Sequence, residues 1–185
     1  MRVYQLRADA NHYQNLILAD ESIWDQMQDM FNGTPVGMSW LPLRVEVLRD
    51  EDQNRALPPG DFPSLMTRLP VFSQRAVDAL SDLLHGNGEL LPLECSEGTY
   101  FAFNVTRVID ALDVQRSEVK RFSDGRIMRV VRYAFIPDRL EGLSIFKIPE
   151  TARMEVFVTD LFVSRVQSAG LVGFDFKLVW SAPTP

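Results

Sequence analysis

Few side chains in this 185-residue sequence have the type and spacing needed for chemistry, and each of them has a plain structural use. His12 and His85 are the only histidines. A zinc site needs a second ligand at a spacing such as HxxxH, and a general base needs a nucleophile oriented beside it. Neither histidine has such a neighbour along the chain. His85 falls in the last turn of a helical pattern, where a partly protonated ring complements the negative dipole end. The single cysteine, Cys95, follows the apolar run Leu90-Leu91-Pro92-Leu93 and reads as a buried or half-buried thiol. Gly86-Asn87-Gly88 resembles a phosphate-cradling loop, but such loops precede a helix and this one follows it. A helix stop followed by a turn accounts for both glycines. No Gly-x-Ser-x-Gly elbow and no Gly-Lys-Ser/Thr sequence occurs. No catalytic residue, cofactor-binding residue or metal ligand is therefore expected, and no cofactor.

Asp50, Glu51 and Asp52, with Asp61 nearby, form the one dense group of carboxylates. Ca²⁺ prefers oxygen ligands that alternate along a loop around a tight glycine turn, and three consecutive acids lack that spacing. The group reads as a solvated loop or, functionally, as a docking patch for a basic partner. These four residues are the candidate partner-binding site.

Charge supports a protein partner over nucleic acid. The chain carries 25 acidic and 19 basic residues, a formal charge of −6. Phosphate binding depends on cationic neutralisation, and Arg126, Arg129 and Arg132 are the densest bases, spread along one strand-like run. An acidic surface suits a cationic protein partner, although mild acidity also serves solubility alone.

The elements that position these groups follow from hydrophobic periodicity. Met1–Leu6, Leu16–Leu18 and Leu43–Val47 alternate as strands. Trp24, Met27, Met30 and Phe31 make one apolar stripe, which predicts a short helix stopped by Asn32-Gly33. The polar stretch from Asp50 to Gly60 predicts a surface loop. Ser73 is the strongest helix start, with Ala76, Val77, Leu80, Leu83 and Leu84 on one face and Gly86 as the stop. Strands are expected near Glu89–Leu93 and Tyr100–Val105, then a short helical piece at Val108–Leu112. Asp124-Gly125 predicts a type I′ hairpin between Val119–Ser123 and Arg126–Phe135. Ser144–Ile148 predicts a strand, Thr159 or Asp160 a cap for a second helix ending at Gly170, and Phe174–Trp180 a last strand. Successive strands lack regular intervening helices, which predicts an α+β fold with an antiparallel or mixed β-sheet and two main helices. Length predicts a single domain over 1–185, large enough to bury roughly 70% of its unfolded surface without a disulfide or metal.

The lone Cys95 suits a reducing compartment, and MRVYQLRADANHY lacks the apolar core of a secretory signal. A cytoplasmic protein is expected, with no membrane span.

Several phrases keep a recognisable order: DFP at 61–63, PVFSQRAVDAL at 70–80, GELLPL at 88–93, FNVTRVIDALD at 103–113, SIFKIPE at 144–150 and VFVTDLFVSRVQSAGLVGFDFKLVW at 156–180. Together they resemble a bacterial immunity-protein family associated with polymorphic toxin systems. The resemblance implies a small antidote, encoded beside a cognate secreted toxin or secretion-system effector, that binds and neutralises it, with no catalytic motif to carry across. The quoted phrases coincide with helix starts, turns and core positions, so they report the fold and leave the binding face open. Two other readings stay in view: a non-catalytic adaptor or chaperone for a secretion substrate, and an enzyme with an unrecognised site.

Overall fold

In the computed structural model, which describes residues 1–23, 30–50, 52–65 and 69–183, the first strand and the last are hydrogen-bonded neighbours. In chain order the strands are β1 (Arg2–Ala8), β2 (Leu16–Leu18), β3 (Leu43–Val47), β4 (Val71–Ser73), β5 (Gly88–Glu94), β6 (Tyr100–Val105), β7 (Glu118–Arg121), β8 (Ile127–Arg132), β9 (Ile145–Phe146), β10 (Phe157–Thr159) and β11 (Phe174–Ser181). The helices are α1 (Gln74–Leu84) and α2 (Asp160–Ser168). One antiparallel sheet has the order β11-β1-β10-β9. A second, β2-β3-β5-β6-β4, is mixed because β3 and β5 run parallel while its other pairs run antiparallel. β7 and β8 pair only with each other. The fold is α+β.

The first sheet is covered on both faces, and the period-2 alternation of its strands explains how. Tyr4, Leu6, Ile145 and Val158 join α1 and α2 in one core. Val3, Phe146 and Phe157 point the other way, into a second core with Leu112, Phe135 and Leu140. A further cluster fills one face of the mixed sheet, around Leu16, Val45, Leu65, Val71 and Leu91. Phe72 sits among four rings, those of Phe62, Phe103, Phe162 and Phe174.

Helix α1 forms as its sequence predicts. The Ser73 hydroxyl accepts from the Ala76 amide at 3.1 Å and satisfies one of the orphan first-turn donors. Ala76, Leu80, Leu83 and Leu84 are buried. His85 is the C-cap, its backbone N–H donating to the Ser81 carbonyl, and Gly86 follows at φ +75°, the left-handed position that ends the helix. α2 starts where expected, but the Thr159 hydroxyl donates to the Leu143 carbonyl at 2.6 Å and leaves the helix end uncapped by its side chain. The long-range bond to Leu143 ties the strand-to-helix corner into the core instead.

Two local expectations are corrected. Val108–Leu112 is not helical. Its backbone groups bond to neighbouring segments, with Ile109 N donating to Lys147 O at 2.8 Å and Ile136 N donating to Ala111 O at 2.9 Å. Two β-branched residues in a five-residue piece cannot offset the cost of helix nucleation against such partners. The hairpin at Asp124-Gly125 exists, but it is not type I′. Gly125 has φ +86° and Asn54 is the one non-glycine residue with positive φ among those described, so Asp124 has negative φ. Gly125 N donates to Phe122 O and Phe122 N to Arg126 O, the pattern of a type I turn closed by a glycine bulge. The Asp124 carboxylate favours this turn by accepting from Arg126 N at 3.0 Å. The strands around it are shorter than expected, as is β9, and β4 was not anticipated at all. Most of the helix predicted over 24–31 lies outside the described residues.

Candidate functional site

The acidic group does not stay together. Asp50 opens an exposed turn: its carboxylate accepts from Gln53 N at 2.6 Å, its carbonyl from Asn54 N at 3.1 Å, and its own N–H donates to Arg55 O at 2.9 Å. Asp52 is exposed in the same turn, and Glu51 lies outside the described residues. Arg49, next to the turn, forms an ion pair with Glu97. Asp61 corrects the expectation of a four-residue surface patch. It is only 5% exposed, and its carboxylate accepts from Ser73 Oγ at 2.9 Å, Arg75 Nη1 at 2.8 Å and Val172 N at 2.9 Å. Three donors of the fold hold this nearly buried carboxylate, so Asp61 is not an exposed docking charge. The sequence signal for this was present, because Ser73 and Arg75 open the best-defined helix twelve and fourteen residues on.

The histidines are separated from any nucleophile. His12 Nδ1 contacts Asp9 Oδ1 at 2.7 Å on the surface, and no serine, threonine or cysteine hydrogen-bonds to either ring among the described residues. A base held by a carboxylate but facing no nucleophile is half of a triad. Cys95 is half-buried. No group of three or more His, Cys, Asp or Glu residues is placed to hold a metal ion among the described residues.

A groove of about 410 Å³ runs past Gln5, Arg7, Asp9, Phe62, Glu155 and Asp175. Its ionisable groups are already matched with one another or with nearby side chains. Arg7 Nε donates to Asp175 at 2.8 Å, Asp9 holds His12, and Glu155 accepts from Gln5 Nε2 at 3.1 Å and from the Tyr133 hydroxyl. Burial and the Glu155 carboxylate together push the Tyr133 phenol far above its ordinary range. Each of these described groups bonds a neighbouring side chain along the groove wall.

Two polar groups, Glu89 half-buried and Lys147 buried, carry no signal along the sequence of the bonds they make. Glu89 reaches from β5 to a loop far along the chain, accepting from Val36 N at 2.7 Å, Gly37 N at 2.8 Å and Asn104 Nδ2 at 2.9 Å. Burial acts to raise its pKa, but those three donors outweigh it and leave the carboxyl below its usual value. Lys147, buried between Phe146 and Ile148, donates from Nζ to the Phe31 carbonyl at 2.6 Å. Burial lowers its pKa to about 8. A lysine inside the apolar phrase SIFKIPE was the visible sign of its burial. Both groups join segments distant in sequence, and neither faces a described cavity.

Residues 93–180 match the model of an immunity protein family, Imm11. The matched stretch runs from the end of β5 through β11 and includes α2 and the β7–β8 hairpin. The resemblance to a bacterial immunity-protein family is carried by these residues, while the similar phrases over 61–92 lie before the match. No curated protein matches the chain. No helix among the described residues is long and apolar enough to cross a membrane.

Proposed function

We propose that this protein is an immunity protein: it binds a cognate secreted toxin or secretion-system effector in the cytoplasm and holds it inactive by stoichiometric contact. The observation that carries the reading is the match of residues 93–180 to an immunity-protein family. An antidote must hold its target tightly, and an interface of about 1,600 Å² suffices when it contains desolvated apolar anchors. In this reading Asp50 and Asp52 are exposed charges that steer a basic part of the partner from a distance, while Asp61 maintains the fold. The chain acts as one domain over 1–185, because β1 is held between β10 and β11 and one core draws on both halves.

The test is co-expression with the protein encoded by the neighbouring gene, followed by purification and an assay of that protein's toxicity. A complex in which toxicity is lost supports the proposal. A complex that leaves the partner fully active, or that delivers it for secretion, favours an adaptor or chaperone instead.

A further inference from the structure

We propose that the outer face of the β7–β8 hairpin is the docking face, and that the partner meets it with an acidic surface surrounding an apolar recess. This rests on the toxin-binding reading and adds to it the site and the chemistry of the contact.

The hairpin belongs to neither large sheet. Ile127 and Val130 pack inward against the core beneath it. The ladder has two register shifts: Glu118 pairs with Arg132 and Val119 with Val130, while Lys120 pairs with Arg129 and Arg121 with Ile127. The residues skipped by the pairing are Val131 and Met128. A bulge re-aims a side chain and bends its strand, and here both bulge residues are apolar and point to solvent, 45% and 48% exposed. Phe122, before the turn, is 47% exposed, with the Arg126 guanidinium 5.7 Å from its ring centre. An isolated exposed apolar residue is ordinary, and this one short hairpin carries three, Phe122, Met128 and Val131.

Charge points to the kind of partner. Residues 118–132 hold Lys120, Arg121, Arg126, Arg129 and Arg132 against Glu118 and Asp124, in a chain of net charge −6. Arg126 is neutralised by Asp124 at 2.7 Å, and Arg121 donates to the Gly125 carbonyl at 2.8 Å. Lys120, Arg129 and Arg132 form no ion pair among the described residues, and Lys120 stands directly opposite Arg129 in the ladder. Like charges in that position destabilise a hairpin, so an acidic partner surface relieves a repulsion that the free protein carries. Met128 supplies a flexible, polarisable anchor for an apolar recess. Single-stranded nucleic acid is the weaker fit, because it calls for several stacking rings and this face presents Phe122 alone.

The experiment measures binding of the neighbouring gene's product, and separately of a 20-nucleotide single-stranded DNA, to four full-length proteins. These are the wild type, Met128→Ser with Val131→Ser, Arg129→Ser with Arg132→Ser, and Asp50→Asn with Asp52→Asn. The two hairpin pairs are expected to weaken protein binding by about tenfold or more, and the acidic-turn pair by less than about threefold. Melting midpoints identify any variant that fails to fold, and the two hairpin pairs are independent of each other. Wild-type binding that neither hairpin pair alters overturns the inference and leaves the toxin reading standing. Absence of wild-type binding removes both. Hairpin-dependent binding of the DNA without binding of the protein overturns the inference in favour of a nucleic-acid surface.

Discussion

The Asp61 carboxylate and the Arg75 guanidinium meet at 2.8 Å, and this contact ties the segment before β4 to the first turn of α1. Arg75 Nη2 also donates to the Ala169 and Gly170 carbonyls, at 3.1 and 2.9 Å, which are orphan acceptors at the end of α2. Asp61 in turn accepts from Val172 N just beyond that end. One carboxylate thus ties three segments together.

Asp61→Ala is expected to lower stability by about 2–4 kcal/mol, because Arg75, Ser73 Oγ and Val172 N all lose a nearly buried partner. Urea unfolding measures it. A loss below about 0.5 kcal/mol would show that the contact contributes as little as an exposed ion pair.

Leu80→Asp is expected to prevent stable folding. Leu80 is fully buried at the centre of the inward stripe of α1. An unpaired carboxylate there costs several kcal/mol, of the order of the whole stability of a domain, about 5–15 kcal/mol. Thermal melting is the check, and an unchanged midpoint contradicts the packing described for α1.

Lys147 makes stability depend on pH in a predictable direction. Its pKa falls from the ordinary 10.5 to about 8 through burial. Below pH 8 the ammonium is charged in both states, and the folded state bears the full desolvation cost. Between pH 8 and 10.5 the unfolded chain binds more protons than the folded one, so stability rises with pH. The full change corresponds to about 3 kcal/mol. Lys147→Met removes the effect, so the stability of wild type relative to this variant is expected to rise across that window. Urea titrations at pH 7.5, 9 and about 10.5 measure it. A constant difference means that the folded lysine keeps its ordinary pKa.

How much could be read from the sequence divides along physical lines. Ser73, the Ala76–Leu84 stripe and Gly86 were legible because cap, period and stop agree and all act within a few residues. Val108–Leu112 was misread because its partners, Lys147 and Ile136, lie far along the chain. At Asp124-Gly125 the dipeptide identified a hairpin, while the turn type was set by the Asp124 carboxylate bonding Arg126 N. The candidate site was harder still. Asp61 looked like a neighbour of Asp50 and Asp52 in sequence, yet it is buried by contacts to Arg75 and Val172. Clustering along a chain says little about a shared surface when helix ends compete for the same carboxylate. The bulges that expose Met128 and Val131 had no sequence signal at all, since both residues fit an ordinary alternating strand.

Asp50→Asn with Asp52→Asn tests the acidic turn as a steering element. Exposed charges outside the contact act mainly on association, and their reach is about 8 Å at physiological salt. The association rate with the partner is expected to fall about threefold at low salt and hardly at all at physiological salt, with dissociation unchanged. An association rate equal to wild type at both salts removes the turn from the docking process.

On the proposed reading this protein neutralises a toxin by binding it. The most direct measurement is to express the neighbouring gene's product in cells with and without this protein, then purify the pair through a tag on one member. Survival only in the presence of this protein, together with a stoichiometric complex lacking toxic activity, is the predicted result. Cell death at the same rate in both cases, with no complex recovered, would contradict the claim.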